Sequence, residues 1–380
     1  MSSSHSSLVN LLDMSASVLS SAVSSSLSIR AFAEPTEEAD DQKNARLKPD
    51  GSFVTDADFA AQSIITKAVQ RMSDKVRILG EENPEGVNQL AAEKVIHASD
   101  GRVYELCRKE LYQRYKNQNQ PEKNDIRLPL ATGPLAEDSA EKFASEIYPL
   151  EDDEKEKVMV DPSRVTVIID PLDGTKSYAK GDYDAVSILI AINLDDKPHF
   201  GVICKPFGYD GLDPILDTKC AAVYGGPLIG GAFNAGGSSL AIVPSDESSD
   251  PEDLPRAVIS SSRSAGVVED VCKHLGLIGV IHPEPMHISG AGEKSLRLIL
   301  RHHNEGLWFF PKGGTSLWDI AASDALLRSL GGKVTDKYGR DLDYTKSRAE
   351  AENLDGIIAC SDGKIHAKVI RVFQEGDWEA

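Results

Sequence analysis

Paired cysteines are missing from this 380-residue chain. Its five cysteines, Cys107, Cys204, Cys220, Cys272 and Cys360, are odd in number, and no two form a Cys-x-x-Cys pair. That argues against a disulfide framework and a structural zinc site, and it fits a reducing compartment. No histidine pair has zinc spacing; His302 and His303 are adjacent and read as a surface pair. Long apolar runs are also missing. Stretches such as Val186 to Ile192 fall far short of the ~20 residues needed to cross a bilayer. Basic residues are in deficit, with 41 Lys and Arg against 60 Asp and Glu, a net charge of −19. Such a chain is poorly suited to coat nucleic acid or anionic lipid. It would also repel an anionic small substrate unless a bound divalent cation reversed the local field.

Length suggests about two domains, and the composition is that of an ordinary globular protein. The N-terminus is Ser-rich. Leu8, Leu11, Leu12, Val18, Leu19, Ala22 and Val23 fall near helical spacing, so it reads first as an amphipathic helix of the fold. Its composition leaves organellar targeting as the alternative to a cytoplasmic location. Lys48-Pro49-Asp50-Gly51-Ser52 is a turn by its chemistry, and Thr55 and Asp56 precede a helix with Phe59, Ile64, Ile65, Ala68, Val69 and Met72 on one side. Lys75 to Leu79 reads as a strand running into Gly80-Glu81-Glu82. Leu90 to Tyr115 reads as helix, Asn117 to Asn124 as a polar loop, and Glu151 to Lys157 as a solvated charge run. Residues 84–163 look like an insertion.

The signal sharpens at Val165-Thr166-Val167-Ile168-Ile169, a β-branched strand. It ends in Asp170-Pro171-Leu172-Asp173-Gly174-Thr175. Val186 to Leu194 and His199 to Lys205 read as a hairpin. The Gly-, Ser- and Pro-rich stretch from Gly225 to Pro255 is the candidate boundary, which gives subdomains 1–235 and 236–380; Leu240 to Val243 within it could add a strand. Beyond it, strands (Ala257 to Ser260, Gly306 to Phe310, Gly356 to Cys360) alternate with helices (Val267 to Leu275, Ile320 to Leu330, Ile365 to Phe373), an α/β pattern.

Carboxylates at strand ends carry the chemistry. Asp170 and Asp173 flank a Pro-Leu turn and can converge on one point, which is costly for like charges unless a cation lies between them. Taken alone, such a turn is more often a polar Asx turn. Glu81 and Glu82 after another strand, Asp319 after Trp318, and Asp58 near Thr55 add hard oxygen donors suited to Mg²⁺. Gly174-Thr175 can present backbone N–H groups to a phosphate. Glu82 reads equally as a support for these ligands or as a solvated acid.

The set Gly80-Glu81-Glu82, Asp170-Pro171-Leu172-Asp173-Gly174-Thr175 and Trp318-Asp319-Ile320-Ala321-Ala322 resembles the lithium-sensitive, Mg²⁺-dependent inositol monophosphatase superfamily. Within it, the likeness is nearest to 3′(2′),5′-bisphosphate nucleotidases. Asp170 to Tyr178 resembles their DPLDGTKEY, Ser261-Ser262-Arg263-Ser264 their TTRS-type segment, Gly290-Ala291-Gly292-Glu293-Lys294 their GAGNK, and Gly201 to Phe207 their GVINQPY. Departures are Glu293 for Asn, Ala265 for a common His, and the expanded segment 84–163. Inositol polyphosphate 1-phosphatases share the GAG-x-K and Trp-Asp segments but usually carry Ser at the position of Gly174.

The resemblance implies a layered αβαβα sandwich, α+β to α/β in class, with two subdomains. It implies two to three Mg²⁺ ions: Glu81, Asp170 and the Leu172 carbonyl oxygen for the first, Asp170, Asp173 and Asp319 for the second, and a third near Glu81 and Asp58. Asp58 and Thr175 would handle the proton of the attacking water in hydrolysis of a phosphomonoester. Gly174, Thr175, Ser262, Arg263, Ser264, Gly290 and Lys294 would contact substrate. For two of these a plainer reading stands, an N-cap for Ser264 and a solvated helix residue for Lys294, while Trp318 reads as core packing rather than a stack on the base. The implied substrate is adenosine 3′,5′-bisphosphate, with its sulfated relative as a second. The partner is a small phosphorylated molecule and not a nucleic-acid polymer or a membrane. The alternatives are an inositol polyphosphate 1-phosphatase and a catalytically silent nucleotide sensor.

Overall fold

A computed structural model describes residues 8–34, 45–49, 51–83, 101–118, 150–216, 218–235, 238–240, 251–376 and 378. The part of the expected helix over residues 90–100, the loop residues 119–124 and the strand residues 241–243 lie outside them.

The N-terminal helix α1 (Leu11–Ala33) is an element of the fold, buried along most of its length. Asn10 caps it, accepting from the Leu12 and Asp13 amides. Its serines suit that burial. They are small, and their hydroxyls find carbonyl partners: Ser15 donates to Leu11 O and Ser26 to Ala22 O within the helix. Ser17 and Ser25 donate to Ala68 O and Ala61 O of the neighbouring α2 (Asp56–Met72). Next come α3 (Gly101–Asn117) and the exposed α4 (Asp152–Val158), which carries the expected charge run on a short helix.

Short strands β1 (Val9–Asn10) and β5 (Met159–Val160) pair with each other, as do β2 (Arg46–Leu47) and β3 (Phe53–Val54). The main sheet contains β4 (Arg77–Gly80), β6 (Val165–Asp173), β7 (Ser187–Leu194), β8 (Lys197–Lys205), β9 (Ala221–Gly226), β10 (Gly231–Asn234) and β11 (Ser239–Leu240). Their spatial order is β11-β10-β9-β8-β7-β6-β4. Only β4 and β6 run parallel. The β7–β8 turn is tighter than the sequence suggests. Asp195 and Asp196 both have positive φ (49° and 59°), so two residues close the hairpin and β8 starts at Lys197.

The second sheet has the order β13-β12-β14-β16-β15. Its strands are β12 (Arg256–Ser260), β13 (Met286–Ile288), β14 (Glu305–Phe310), β15 (Lys333–Thr335) and β16 (Ile357–Cys360). The remaining helices are α5 (Thr175–Ala179), α6 (Val267–Leu277), α7 (Ala291–Leu300), α8 (Leu317–Ser329) and α9 (Gly363–Glu375).

Five layers result. Helices α1 and α2 cover one face of the main sheet, α7 and α8 fill the space between the sheets, and α6 and α9 cover the far face of the second. The main sheet is buried on both sides, so its strands read as continuous apolar runs. Val165, Val167 and Ile169 face the α1–α2 side, while Ile168, Leu189 and Ile203 join the core shared with the second sheet. This is the layered αβαβα arrangement with two subdomains. All five cysteines are buried and unpaired. Among the described residues no helix is long and apolar enough to cross a membrane.

Candidate active site

Acidic side chains meet where β4 and β6 end side by side and where helices begin. Asp58 lies in the first turn of α2, Asp319 in the first turn of α8, and Gly292 in the first turn of α7. The positive ends of these helix dipoles offset part of the local negative charge. Asp170 and Asp173 both lie within β6 rather than in a turn that follows it. A bulge sets Pro171 and Leu172 against Ile188 alone of β7, pairing Asp170 with Leu189 and Asp173 with Ser187. The bulge turns both carboxylates to one side.

Oxygen atoms of Asp170, Asp173 and Asp319 lie within 4.8 Å of one another, a group able to hold a divalent metal ion. Each acid is oriented by a separate contact. The Leu172 amide donates to Asp170 Oδ1 at 3.2 Å. Asp173 Oδ2 accepts from the Ser187 hydroxyl at 3.1 Å and the Gly292 amide at 2.8 Å. Asp319 Oδ2 accepts from the Ser316 amide at 2.6 Å, so Asp319 belongs inside the helix as part of a capping box rather than ahead of it. Burial, and then Glu81, Asp173 and Asp319, push the Asp170 carboxyl well up from its usual value. Burial and the Asp173 charge push Asp319 up to about 7. Hard oxygen donors that repel one another in this way suit Mg²⁺.

Asp58 is fully buried. Thr55 holds its Oδ2 through the backbone amide at 2.8 Å and the hydroxyl at 2.5 Å. That leaves Oδ1 to the Thr175 hydroxyl at 2.9 Å, which is also 2.9 Å from the Leu172 carbonyl oxygen. Burial raises Asp58 to about 7 against the lowering effect of Thr55. Gly174, in front of Thr175, has φ of 85° and lies against the Ala185 carbonyl, where a Cβ would come within 2.8 Å. Glycine is therefore required there on two counts.

Three residues with no role in the sequence reading hold the β4 end. Lys48 Nζ lies 2.8 Å from Glu81 Oε1 and also contacts Glu82 Oε1. Gln62 exchanges hydrogen bonds with the Glu82 backbone, and Arg348 donates to the carbonyls of Gly80 and Glu81. Glu82 is buried and bonded to Lys48, so the solvated alternative does not apply. Lys48 was visible in the sequence only as part of a Pro-Asp-Gly turn.

Lys294 is buried and not solvated. Its ammonium donates to Gly290 O at 2.8 Å, lies 5.2 Å from the Trp308 ring centre, and feels the charges of Asp173, Asp319 and Arg263. Burial lowers its pKa to about 8. Arg263 donates to Gly314 O and stacks over Phe310, where Lys312 also sits, 5.7 Å from the ring centre. Sequence reading missed Phe310 and Lys312, which carry no motif. Ser264 is not the N-cap of α6, because Gly266 takes that place. The Ser264 hydroxyl instead donates to Glu269 at 2.9 Å. Ser262 is exposed beside it, and Trp318 packs part-buried on the second core.

The inositol monophosphatase family model matches residues 133–377, more than half of the chain. The chain belongs to the inositol monophosphatase family. Within that family, the 3′(2′),5′-bisphosphate nucleotidase 1 of Dictyostelium discoideum is 30% identical over 194 residues, covering 50% of this chain and 58% of the relative. The human nucleotidase of the same name is 30% identical over 200 residues, 51% of this chain and 57% of its own length. The human Golgi-resident adenosine 3′,5′-bisphosphate 3′-phosphatase is 29% identical over 210 residues, 54% and 50% of the two chains. The chain therefore matches little more than half the length of these curated relatives. Among solved structures, the extragenic suppressor protein suhB of Bartonella henselae superposes with a TM-score of 0.54 at 17% identity, over 95% of this chain and 98% of that one. That likeness bears on the fold alone.

Proposed function

We propose that this inositol monophosphatase family member is a Mg²⁺-dependent phosphomonoesterase that removes the 3′-phosphate of adenosine 3′,5′-bisphosphate, giving AMP and phosphate. The observation that carries the reading is the carboxylate group of Asp170, Asp173 and Asp319 beside the hydrogen-bonded Asp58–Thr175 pair. In this reading Glu81, Asp170 and the Leu172 carbonyl would hold one ion, Asp170, Asp173 and Asp319 a second, and Glu81 and Asp58 would be near a third. Bound Mg²⁺ supplies positive charge that neutralises the phosphate and activates water.

The chain's own groups do the rest. Thr175 passes the proton of the attacking water to Asp58, the buried carboxylate that its hydroxyl meets at 2.9 Å. The Gly174 and Thr175 amides and the Gly290 turn face the phosphate oxygens. Ser262, Arg263, Ser264 and Lys294 face the nucleoside and its second phosphate. Arg263 and Lys294 support this because they add positive charge next to the acidic group. The names of the nucleotidase and 3′-phosphatase relatives support the nucleotide, and inositol monophosphatase 3 of Danio rerio, 30% identical over 187 residues, keeps an inositol phosphate as the alternative.

Phosphate release with Mg²⁺ from adenosine 3′,5′-bisphosphate, its sulfated relative, inositol 1,4-bisphosphate and inositol 1-phosphate tests the reading. Preference for the nucleotide is expected. Preference for inositol 1,4-bisphosphate replaces the nucleotidase with an inositol polyphosphate 1-phosphatase. No release from any substrate makes the chain a silent binder.

A further inference from the structure

Lys205 ends β8 with its side chain 1% exposed, one of the least accessible charges in the chain. Its ammonium lies 3.0 Å from Glu293 Oε2, donates to the Asp184 carbonyl, and sits 5.5 Å from the Tyr209 ring centre. Glu293 Oε1 accepts from Arg297 at 3.0 Å and from the Tyr209 hydroxyl at 3.3 Å. Neither Lys205 nor Glu293 is among the ligand candidates of the acidic cluster.

The two anchor points of Lys205 each lead to Asp173. On one side, Asp184 precedes Ala185, whose carbonyl packs against both Gly174 and Gly290 so closely that a Cβ on either would come within 2.8 Å. Ser187, two residues further on, donates to Asp173. On the other side, Glu293 follows Gly292, whose amide donates to the same Asp173 oxygen. Lys205 thus ties together the two backbone segments that orient Asp173. We propose that the buried Lys205–Glu293 pair is a positioning device for the metal site, setting the direction of Asp173 through Ser187 and Gly292.

The two positions carry opposite charges, and the structure brings them together across 88 residues of chain. A neutral amide pair can make the same bridge, whereas a buried charge facing a neutral partner is left uncompensated. The proposal rests on the metal-site reading above, so its test measures metal binding directly.

Mn²⁺ binding is measured by electron paramagnetic resonance on the full chain, with Mg²⁺-dependent phosphate release and thermal unfolding alongside. Lys205→Gln and Glu293→Asn should each weaken Mn²⁺ binding by about ten-fold, the usual effect of losing a group that orients a ligand. The Mg²⁺ requirement for activity should rise in step, with substrate KM changed by less than about two-fold. The double variant should recover Mn²⁺ affinity to within about three-fold of wild type, because coupled neighbours are not additive. If either single variant does not fold, the comparison of wild type with the double variant and Glu293→Gln is read instead, with Glu293→Gln weakened and the double variant near wild type. Folded single variants with wild-type Mn²⁺ affinity overturn the positioning role alone. So does a double variant no better than the weaker single. A wild-type chain that binds no Mn²⁺ overturns the metal-site reading itself.

Discussion

The Thr175 hydroxyl stands 2.9 Å from Asp58 Oδ1, joining the start of α5 to the first turn of α2 across 117 residues of chain. Thr55 occupies the other Asp58 oxygen, so the carboxylate has one open direction and Thr175 fills it. Replacing Thr175 by Val keeps the shape and removes the proton path. Turnover should fall by about 10²- to 10³-fold, with Thr175→Ser retaining most activity. Steady-state kcat for the two variants checks this, and a Val variant as active as the Ser variant would remove Thr175 from proton transfer.

Asp170 is the acid shared between the two proposed ions. Asp170→Asn keeps the size and the Leu172 contact but deletes the charge. Phosphate release should fall by about 10³-fold or more, and added Mg²⁺ should not rescue it, since Asn is a poor substitute for a bridging carboxylate. Substantial activity at saturating Mg²⁺ would sink the two-ion arrangement.

Burial holds Asp58 and Asp319 at about 7, far above the usual carboxylate value, and also raises Asp170. For acids raised in the fold, the stabilising contribution is full below their unfolded pKa and is lost as pH rises toward the folded value. Without metal, these groups weaken the fold between about pH 4 and 7. A divalent cation binds their ionised forms and releases protons, so its effect has the opposite trend. The rise in Tm on adding Mg²⁺ to protein stripped with a chelator should be small near pH 5.5 and several degrees larger near pH 8, about 4 °C or less per kcal/mol of binding for a chain this long. A Tm increment that is flat across this range would show that the carboxyls are not the binding groups.

Local pattern made much of this legible. Val165 to Ile169 could only be a buried strand, and Asp170 to Thr175 follow it directly, so the two acids and the Gly-Thr step were placed by short-range geometry. Asp319 was legible because Trp-Asp opens an apolar helix. The bulge in β6 was not, since it depends on the β7 register. Lys48, Ser187 and Arg348 reach the site only through tertiary contacts and sit in a turn, a strand and a short 3-10 helix. Segment 84–163 was obscure for a different reason. In α3, Glu110 and Arg114 look like a solvated pair but are buried, 3.0 Å apart, with Arg114 over Phe233 and the Tyr224 hydroxyl 2.5 Å from Glu110. Two charges in the core break the apolar stripe that marks a packed helix.

Lys294 gives the sharpest test of substrate recognition. Its ammonium is buried over Trp308 and faces Asp173 and Asp319, with Arg263 close enough to depress its pKa further. In the proposed function it contacts a substrate phosphate. Loss of a charge-assisted contact costs about 1.5–3 kcal/mol, so KM for adenosine 3′,5′-bisphosphate should rise about ten-fold or more. Lys294→Met is the cleaner variant, because it fills the space against Trp308 that Lys294→Ala would leave open. The kcat should fall less than KM rises, since the lysine binds a phosphate that does not react. A pKa of about 8 adds a signature that packing cannot imitate. Above that pH the lysine loses its charge, so wild-type KM should climb between pH 8 and about 9.5. In Lys294→Arg, whose guanidinium stays charged, that limb should disappear. Steady-state kinetics of the three proteins across this pH range decide the matter. A Met variant with wild-type KM, together with a flat wild-type profile, would assign Lys294 to packing and leave Arg263 and Lys312, the two cations on Phe310, to receive the second phosphate.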